Sequence, residues 1–340
     1  MKVAFDAVVF TQTAAGSARV ARGLLGALRA GHPDIELIEI GGGELRARGS
    51  AAQRALAIRQ DLLWYAGGGV RRAAALAGAD LVHLPTFRGP LRPGPPPAVV
   101  TVHDLAVLRH PEWFPRWSGA YGQLAVPRAL CAAARVVCVS AATARDAVAL
   151  GVPRKRVRVV PNGIDALWSE PAGPAPIDGP YLLAVGTLEP RKNLARVLEA
   201  HCLLRARGRS ERLVVVGDTG WGGIAPPAGE GVVALGRVAD ETLRDLYAHA
   251  AAVVFPSLAE GFGLVVGEAL AAGTRIVASD LDAHREVAGD DAVYCDPLEV
   301  HSIARAISDA LARPAPAARR DLTWERAADA LVAVWREVCP

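Results

Sequence analysis

The run Val253-Val254-Phe255-Pro256-Ser257-Leu258-Ala259-Glu260-Gly261-Phe262-Gly263-Leu264-Val265-Val266-Gly267-Glu268-Ala269-Leu270-Ala271-Ala272-Gly273 decides the fold. A β-branched apolar stretch stops at Pro256, a loop carries Gly261 and Gly263, and a helical Leu/Val/Ala pattern follows until Gly273 closes it. The order is strand, glycine loop, helix. Glycines at 261 and 263 let backbone approach a ligand closely, and the N–H groups at the helix start can donate to an anion or to sugar hydroxyls. Glu260 sits on the loop and Glu268 about a turn or more into the helix, so both can line one pocket. A tight turn followed by a solvated helix glutamate uses the same residue types, and the stretch taken alone leaves both readings open.

Upstream, the same order recurs. The apolar strand Tyr181–Val185 runs into Gly186-Thr187-Leu188-Glu189-Pro190-Arg191-Lys192-Asn193 and then a helix from Leu194. Adjacent Arg191 and Lys192 at a strand-to-helix turn can hold a diphosphate, Arg as a planar fork and Lys as a compact charge. An ordinary basic pair at a helix entrance is the alternative. Across the chain, short apolar runs alternate with longer Ala/Leu/Arg helical patterns, which predicts an α/β protein with parallel sheets covered by helices. Strands are expected at Val3–Val9, Ile35–Ile40, Leu81–Leu84, Ala98–Val102, Val136–Val139, Val157–Val160, Tyr181–Val185, Leu213–Val216, Val232–Leu235, Val253–Pro256, Arg275–Ala278 and Ala292–Cys295. Helices are expected at Ser17–Ala30, Ala141–Leu150, Leu194–Arg207, Asp240–Ala250 and Trp324–Val338.

Pro161-Asn162-Gly163-Ile164-Asp165, followed by prolines at 171, 174, 176 and 180, cannot continue a helix or a central strand. The expected division is an N-terminal Rossmann-like domain over 1–166 and a C-terminal one over 167–323, with the last helix, 324–340, returning to the first. Two such halves are expected to face a central cleft at their C-terminal strand ends.

The composition narrows the function. The 340 residues carry 38 Lys+Arg and 35 Asp+Glu, a formal net charge of +3, which gives no general attraction to nucleic acid. Only Lys2, Lys155 and Lys192 are lysines; every other basic residue is arginine. The five cysteines (Cys131, Cys138, Cys202, Cys295, Cys339) have no paired metal spacing and read as reduced core residues of a cytosolic protein. Met1-Lys2-Val3-Ala4-Phe5-Asp6 places an acid where a signal peptide needs an apolar core, and no apolar run reaches the ~18 residues of a membrane span. A cytoplasmic location is expected, with peripheral contact at the inner face of a membrane left open.

Taken together, Gly16, His103-Asp104 after a strand, the Pro161–Asp165 linker, the Glu189–Asn193 turn, Gly236-Arg237-Val238, and Glu260 with Glu268 resemble the retaining GT-B glycosyltransferases of glycosyltransferase family four, group 1. The Glu-Pro-Arg-Lys-Asn variant resembles mannosyltransferase-like members. The resemblance implies that Arg191 and Lys192 hold the donor diphosphate and stabilise the leaving group, with Gly16 and Gly186 beside them. It implies that Glu268 binds the ribose hydroxyls, that Glu260, Gly261, Phe262, Gly263 and Leu264 position the transferred sugar, and that Gly236, Arg237 and Val238 lie near the base. His103 would face the sugar, oriented by Asp104. Retention would proceed by front-side attack, a donor phosphate oxygen taking the acceptor proton, with no metal and no cofactor. Three positions depart from the common family pattern: Thr187 stands where many relatives carry arginine, Ala18 where some carry glycine, and Val265 where proline is often found.

Other features weigh less. Asp280-Leu281-Asp282 matches the Asp-x-Asp of metal-dependent transferases in three residues only. Trp113, Phe114 and Trp117 with Arg109 and Arg116 fit a lipid headgroup surface, but packing in the core or over the acceptor is the preferred reading. Arg154-Lys155-Arg156 reads as a solvated turn, and among the remaining histidines, which include His284, only His83 and His110 are candidates for a cleft. The expected function is transfer of a hexose or deoxyhexose, mannose-like favoured, from a GDP-, UDP- or dTDP-linked sugar to a glycan or polyprenyl/lipid-linked acceptor. A nucleotide-sugar epimerase or hydrolase of GT-B architecture, or a non-catalytic nucleotide-sugar-binding subunit, are the alternatives.

Overall fold

Twelve short strands form two six-stranded parallel sheets, in a computed structural model that describes residues 1–12, 16–42, 55, 57–220 and 222–340. In the first sheet β1 (Lys2–Asp6), β2 (Glu36–Ile40), β3 (Leu81–Leu84), β4 (Ala98–Val102), β5 (Arg135–Cys138) and β6 (Val157–Val159) lie in the order β2-β1-β3-β4-β5-β6. In the second, β7 (Tyr181–Val185), β8 (Arg212–Val216), β9 (Val232–Gly236), β10 (Ala252–Phe255), β11 (Ile276–Ser279) and β12 (Ala292–Cys295) lie in the order β12-β11-β10-β7-β8-β9. Central strands such as β3, β4, β10 and β11 are buried along their whole length, as both faces of a helix-covered parallel sheet require, and this is why they read as unbroken apolar runs.

The chain divides into two compact units, Met1–Gly163 with Trp324–Pro340, and Ile164–Thr323. The sequence expectation set that boundary at 166/167. Each unit is a doubly wound α/β sheet with its own core. Valines and leucines of β3, β4 and β5 pack against Val126 and Leu130 in the first, and those of β7, β8 and β10 against Val197, Leu204 and Ile307 in the second.

Strand order reverses direction at one place in each sheet. All strands are parallel, but from β1 the chain adds β2 on one side and β3 to β6 on the other, so the reversal lies between β1 and β3; in unit 2 it lies between β7 and β10. Loops leaving adjacent strands at such a point diverge to opposite faces and open a crevice at the C-terminal edge, where open α/β sheets bind ligands.

Three expectations are corrected. The predicted strand Val3–Val9 ends at Asp6, because the Asp6 carboxylate accepts the Val8 N–H at 3.3 Å and starts the short helix Val8–Gln12. Local capping overrides the β-branched run. Only Cys138 and Cys295 are buried among the five free cysteines; Cys131 and Cys202 lie on exposed faces of their helices and Cys339 is half-buried. His83 is no cleft residue: it is fully buried on β3, its Nδ1 accepts the Trp335 indole N–H at 3.3 Å, and burial lowers its pKa to about 3. His110, by contrast, is half-exposed and stacked on Trp113, with ring centroids 3.8 Å apart.

The last helix, Trp324–Arg336, packs on the helix Gly16–Gly31 and buries Trp324, Leu331 and Trp335. Gly23 makes this docking fit, since a Cβ there would stand 2.3 Å from the Trp324 ring. Gly163 approaches the same residue, with a Cβ position 2.4 Å from the Trp324 backbone nitrogen. Gly23→Ala is therefore expected to destabilise unit 1 by about 1–3 kcal/mol through overpacking, read as a lower urea midpoint. Gly26→Ala on the same helix, whose Cβ meets nothing within 4 Å, should not be destabilising.

Candidate functional site

The reversal point of unit 2 gathers the two motifs that the sequence singled out. Beyond β7, Gly186 keeps a φ of +149° that side chains rarely adopt, and its Cα passes beside the Lys192 methylenes. Gly217, at the end of β8, must also lack a side chain, because a Cβ there would fall 1.9 Å from the Gly186 carbonyl oxygen. Its N–H donates to the Gly236 carbonyl at 2.9 Å, so Gly186, Gly217 and Gly236 lie side by side along the C-terminal edge. Arg237 is exposed and Val238 half-exposed just beyond.

Arg191 and Lys192 follow in one turn of 3-10 helix, Pro190–Lys192. Asn193 then turns the chain with a left-handed φ of 59°, and its amide donates to the Pro256 carbonyl at 2.9 Å and the Pro297 carbonyl at 2.7 Å. These bonds fasten the basic turn to the loops after β10 and β12. The Leu258 N–H adds a third tie, donating to the Arg191 carbonyl at 2.8 Å.

On that loop stands Glu260, 11% exposed. Its Oε1 receives the Lys192 ammonium at 2.7 Å, the Arg191 guanidinium at 3.0 Å and the Ser257 hydroxyl at 2.8 Å. Its Oε2 has no hydrogen bond among the described residues. The Lys192 Nζ also sits 4.7 Å from the centre of the Phe255 ring. Arg191 spends its other edge on Glu189, 3% exposed, at 2.8 Å and 3.2 Å. The crevice floor thus holds two cations and two carboxylates. Burial pushes against the charge on Glu260, but Arg191 and Lys192 more than offset it and hold the carboxyl well below the usual carboxylate range. For Glu189 burial prevails over Arg191 and Lys192, and its pKa is raised.

The glycine loop then delivers the chain into the helix Leu264–Ala271 through Gly263, φ +89°. A side chain there would collide with His284, whose Cδ2 lies 2.7 Å from the Cβ position. His284, on the helix Asp282–Ala288, is fully buried; its Nδ1 donates to the Ser279 carbonyl at 3.0 Å and its Nε2 has no hydrogen-bond partner among the described residues. Burial lowers its pKa although Glu260 acts the other way, so the ring stays neutral with a bare Nε2 turned toward the loop. Glu268 is 3% exposed and accepts the Tyr247 hydroxyl at 2.7 Å. That bond turns it toward the neighbouring helix Asp240–His249.

Unit 2 thus brings Gly186, Arg191, Lys192, Glu260 and the loop Gly261–Gly263 together, with Gly236 further along the same edge. Gly16, His103 and Asp104 belong to unit 1. His103 Nε2 donates to the Pro85 carbonyl at 2.8 Å, while the Asp104 carboxylate accepts the Ala106 N–H at 3.0 Å. The ring is therefore oriented by Pro85, and Asp104 starts the following helix. Gly16 opens the helix Gly16–Gly31 and is exposed. Asp280 forms a two-pronged pair with Arg285, and no cluster of three metal-ligating side chains occurs among the described residues.

Sequence reasoning missed Glu189, Ser257 and His284. Glu189 and Ser257 stand inside the quoted motifs, but only the fold shows that one is buried against Arg191 and the other aimed at Glu260. His284 carries no local signal, since what matters is its contact with Gly263, 21 residues earlier in the chain.

Comparison with known proteins places this geometry. The family model described as Glycosyltransferase Family 4 matches residues 14–166, and that described as Glycosyl transferases group 1 matches residues 179–313. The chain belongs to the group 1, family four glycosyltransferases. It is 30% identical over 277 residues to the serotype-specific mannosyltransferase WbdA of Escherichia coli, an alignment covering 69% of this chain and 33% of the relative. It is 32% identical over 232 residues to the O-antigen chain mannosyltransferase B of Escherichia coli, covering 63% of this chain and 61% of the relative. It therefore spans only a third to three-fifths of these curated relatives. Among solved structures, sucrose-phosphate synthase from Thermosynechococcus elongatus superposes with a TM-score of 0.68 at 19% identity, over 99% of this chain and 96% of the other. HepE of Anabaena, solved with UDP and glucose, gives 0.64 at 18% identity, over 99% and 95%. These likenesses establish the GT-B fold. No helix among the described residues is long and apolar enough to cross a membrane.

The Glu260 cluster has a pH signature. With a folded pKa below its unfolded value, Glu260 contributes stability that is fully present above the unfolded pKa of about 4.3 and is lost as pH falls below it. The stability gap between the wild type and Glu260→Gln should shrink by about 1–2 kcal/mol between pH 7 and pH 3 in urea unfolding of unit 2. A gap independent of pH would show that Glu260 is not held by its cations.

Proposed function

We propose that the chain transfers a hexose or deoxyhexose, with mannose favoured, from a nucleotide-diphosphate sugar to a glycan or lipid-linked acceptor, with retention and without a metal. The observation that carries this reading is the convergence of Lys192 and Arg191 on one oxygen of Glu260 at the unit 2 reversal point. A donor diphosphate brings the negative charge that these two cations already bind. On donor entry the phosphates take over the Arg191 and Lys192 contacts, and Glu260 is released to accept hydroxyls of the transferred sugar.

Negative charge grows on the leaving diphosphate as the glycosidic bond breaks, and cations fixed before the reaction stabilise that charge most. Asn193 and Leu258 fix them here by tying the basic turn to the β10 loop. Gly261, Phe262 and Gly263 give backbone access to the sugar, and Gly236, Arg237 and Val238 lie on the edge where the base would extend. Glu268 turns from Tyr247 to the ribose. His103, its Nε2 proton held by the Pro85 carbonyl, is assigned to the transferred sugar. The acceptor proton passes to a donor phosphate oxygen, so no protein nucleophile is needed. Support for mannose comes from the names of the two Escherichia coli relatives, and support for a nucleotide-linked donor from HepE, solved with UDP.

Transfer measured with GDP-mannose, UDP- and dTDP-sugars should fall 100-fold or more in Lys192→Ala, stay unchanged in Lys155→Ala, and persist in EDTA. Equal turnover in the two lysine variants would remove the diphosphate role, and loss in EDTA restored by Mn²⁺ would point to Asp280 and Asp282. In calorimetry, Glu268→Ala should bind the nucleotide at least tenfold more weakly, whereas Tyr247→Phe, which deletes only the hydrogen bond to Glu268, should not. Unchanged affinity in Glu268→Ala would sink the ribose assignment.

A further inference from the structure

The reversal point of unit 1 carries a second charged cluster. Asp6, at the end of β1, is 1% exposed and accepts the Tyr65 hydroxyl at 2.8 Å and the Trp64 indole N–H at 3.1 Å. Both aromatics belong to the helical segment Gln60–Ala66, which also carries Asp61, 2% exposed. Arg88 follows β3, in the loop whose Pro85 carbonyl holds His103. Its Nε donates to Asp61 Oδ1 at 2.8 Å, and the Trp117 indole N–H takes the other oxygen, Oδ2, at 2.9 Å. The Phe87 ring lies 5.5 Å from the guanidinium carbon, and the Tyr121 hydroxyl donates to the Asp61 carbonyl at 3.2 Å.

Arg88 is used differently from the two-pronged arginine pairs of the chain. Arg285 on Asp280 and Arg319 on Asp321 each engage both carboxylate oxygens through Nε and a terminal nitrogen. That geometry satisfies a purely structural ion pair. Arg88 gives Asp61 only its Nε, because Trp117 already occupies the second oxygen. Its two terminal nitrogens make no hydrogen bond among the described residues. They also reach solvent: the side chain is 21% exposed, and the buried polar atoms left without a partner among the described residues are Arg71 Nε and His284 Nε2. The result is a guanidinium locked at one end and open at the other, in the crevice between β1 and β3 where a sheet of this topology binds ligands.

We propose that Arg88 is the acceptor-reading residue of this chain, its NH1 and NH2 groups receiving an anionic group, phosphate or carboxylate, carried by the acceptor. This rests on the transferase reading above. The two terminal N–H groups form a planar fork that matches two oxygens of such a group. Asp61 fixes the plane of the fork, so little rotamer entropy is lost on binding. Arg88 lies three positions after Pro85, at most about 11 Å of extended chain, so an acceptor anchored there stays within one sugar unit or two of His103.

The test reads the site itself. Trp117 bonds the same carboxylate as Arg88, so its indole N–H resonance, assigned by Trp117→Phe, reports on Arg88 in the ¹⁵N-labelled full chain. Titration with methyl phosphate and, separately, methyl glucuronide should shift that resonance saturably, and the arm with the tighter curve identifies the group. Arg88→Gln should weaken the tighter interaction tenfold or more. Arg88→Lys keeps the charge without the fork; it should fall between the two, and it covers the case in which Arg88→Gln does not fold. An unmoved Trp117 resonance with both anions, or equal shifts in wild type and folded Arg88 variants, would reduce Arg88 to the structural partner of Asp61. GDP and UDP titrations of the same samples follow unit 2 separately: failure of both nucleotides to bind would count against the donor reading and leave the Arg88 result standing.

Discussion

Two cations share one carboxylate oxygen at the floor of the unit 2 crevice, and this contact organises what surrounds it. Lys192 and Arg191 would repel each other and any third positive charge, and Glu260 would not remain ionised at 11% exposure without them. Each half of the cluster needs the other in place before a ligand arrives. That requirement explains the hydrogen bonds of Asn193 and Leu258, which join the loops after β7 and β10 although 68 residues separate Lys192 from Glu260. It also explains a glycine: Gly263 makes room for His284 behind the Glu260 loop.

Unit 1 meets the same demand with different chemistry. Its reversal point also holds a buried carboxylate against an arginine, but aromatic donors supply the remaining hydrogen bonds. Trp64 and Tyr65 satisfy Asp6, and Trp117 satisfies Asp61. Indole and phenol groups donate without adding charge, so burial pushes the Asp6 pKa up to about 6, whereas two cations hold Glu260 low. The aromatic-basic cluster around Trp113 and Trp117 is therefore partly committed to this interior network, in line with the packing reading preferred from sequence.

The β-α alternation was legible because parallel strands buried on both faces leave unbroken apolar runs, and each of the twelve expected strands is present, most within one residue of its predicted bounds. The glycine loops were legible too, since positive φ values at Gly186 and Gly263 demand that residue. What sequence could not give was pairing across the sheet. His284 matters only because it meets Gly263, Glu189 only because Arg191 reaches back to it, and Arg88 only because Asp61 lies buried beside it. The error at Val3–Val9 has the opposite origin, since a local cap from Asp6 overrode the strand propensity of Val8 and Val9.

The chain uses arginine almost everywhere, and its three lysines are exceptions. Lys192 is the one whose surroundings call for a lysine. Its methylenes pass 3.5 Å from the Cβ position of Gly186, and its ammonium ends 4.7 Å from the Phe255 ring centre and 2.7 Å from Glu260. A straight stem with a compact charge fits between that backbone and that ring, while a planar guanidinium is wider at the same reach and would need its own two-oxygen partner. Arg191 beside it already supplies the fork, to Glu189 on one edge and Glu260 on the other. The turn therefore combines the two cation types by shape: one bridges the two carboxylates, and the other places a compact charge over the crevice.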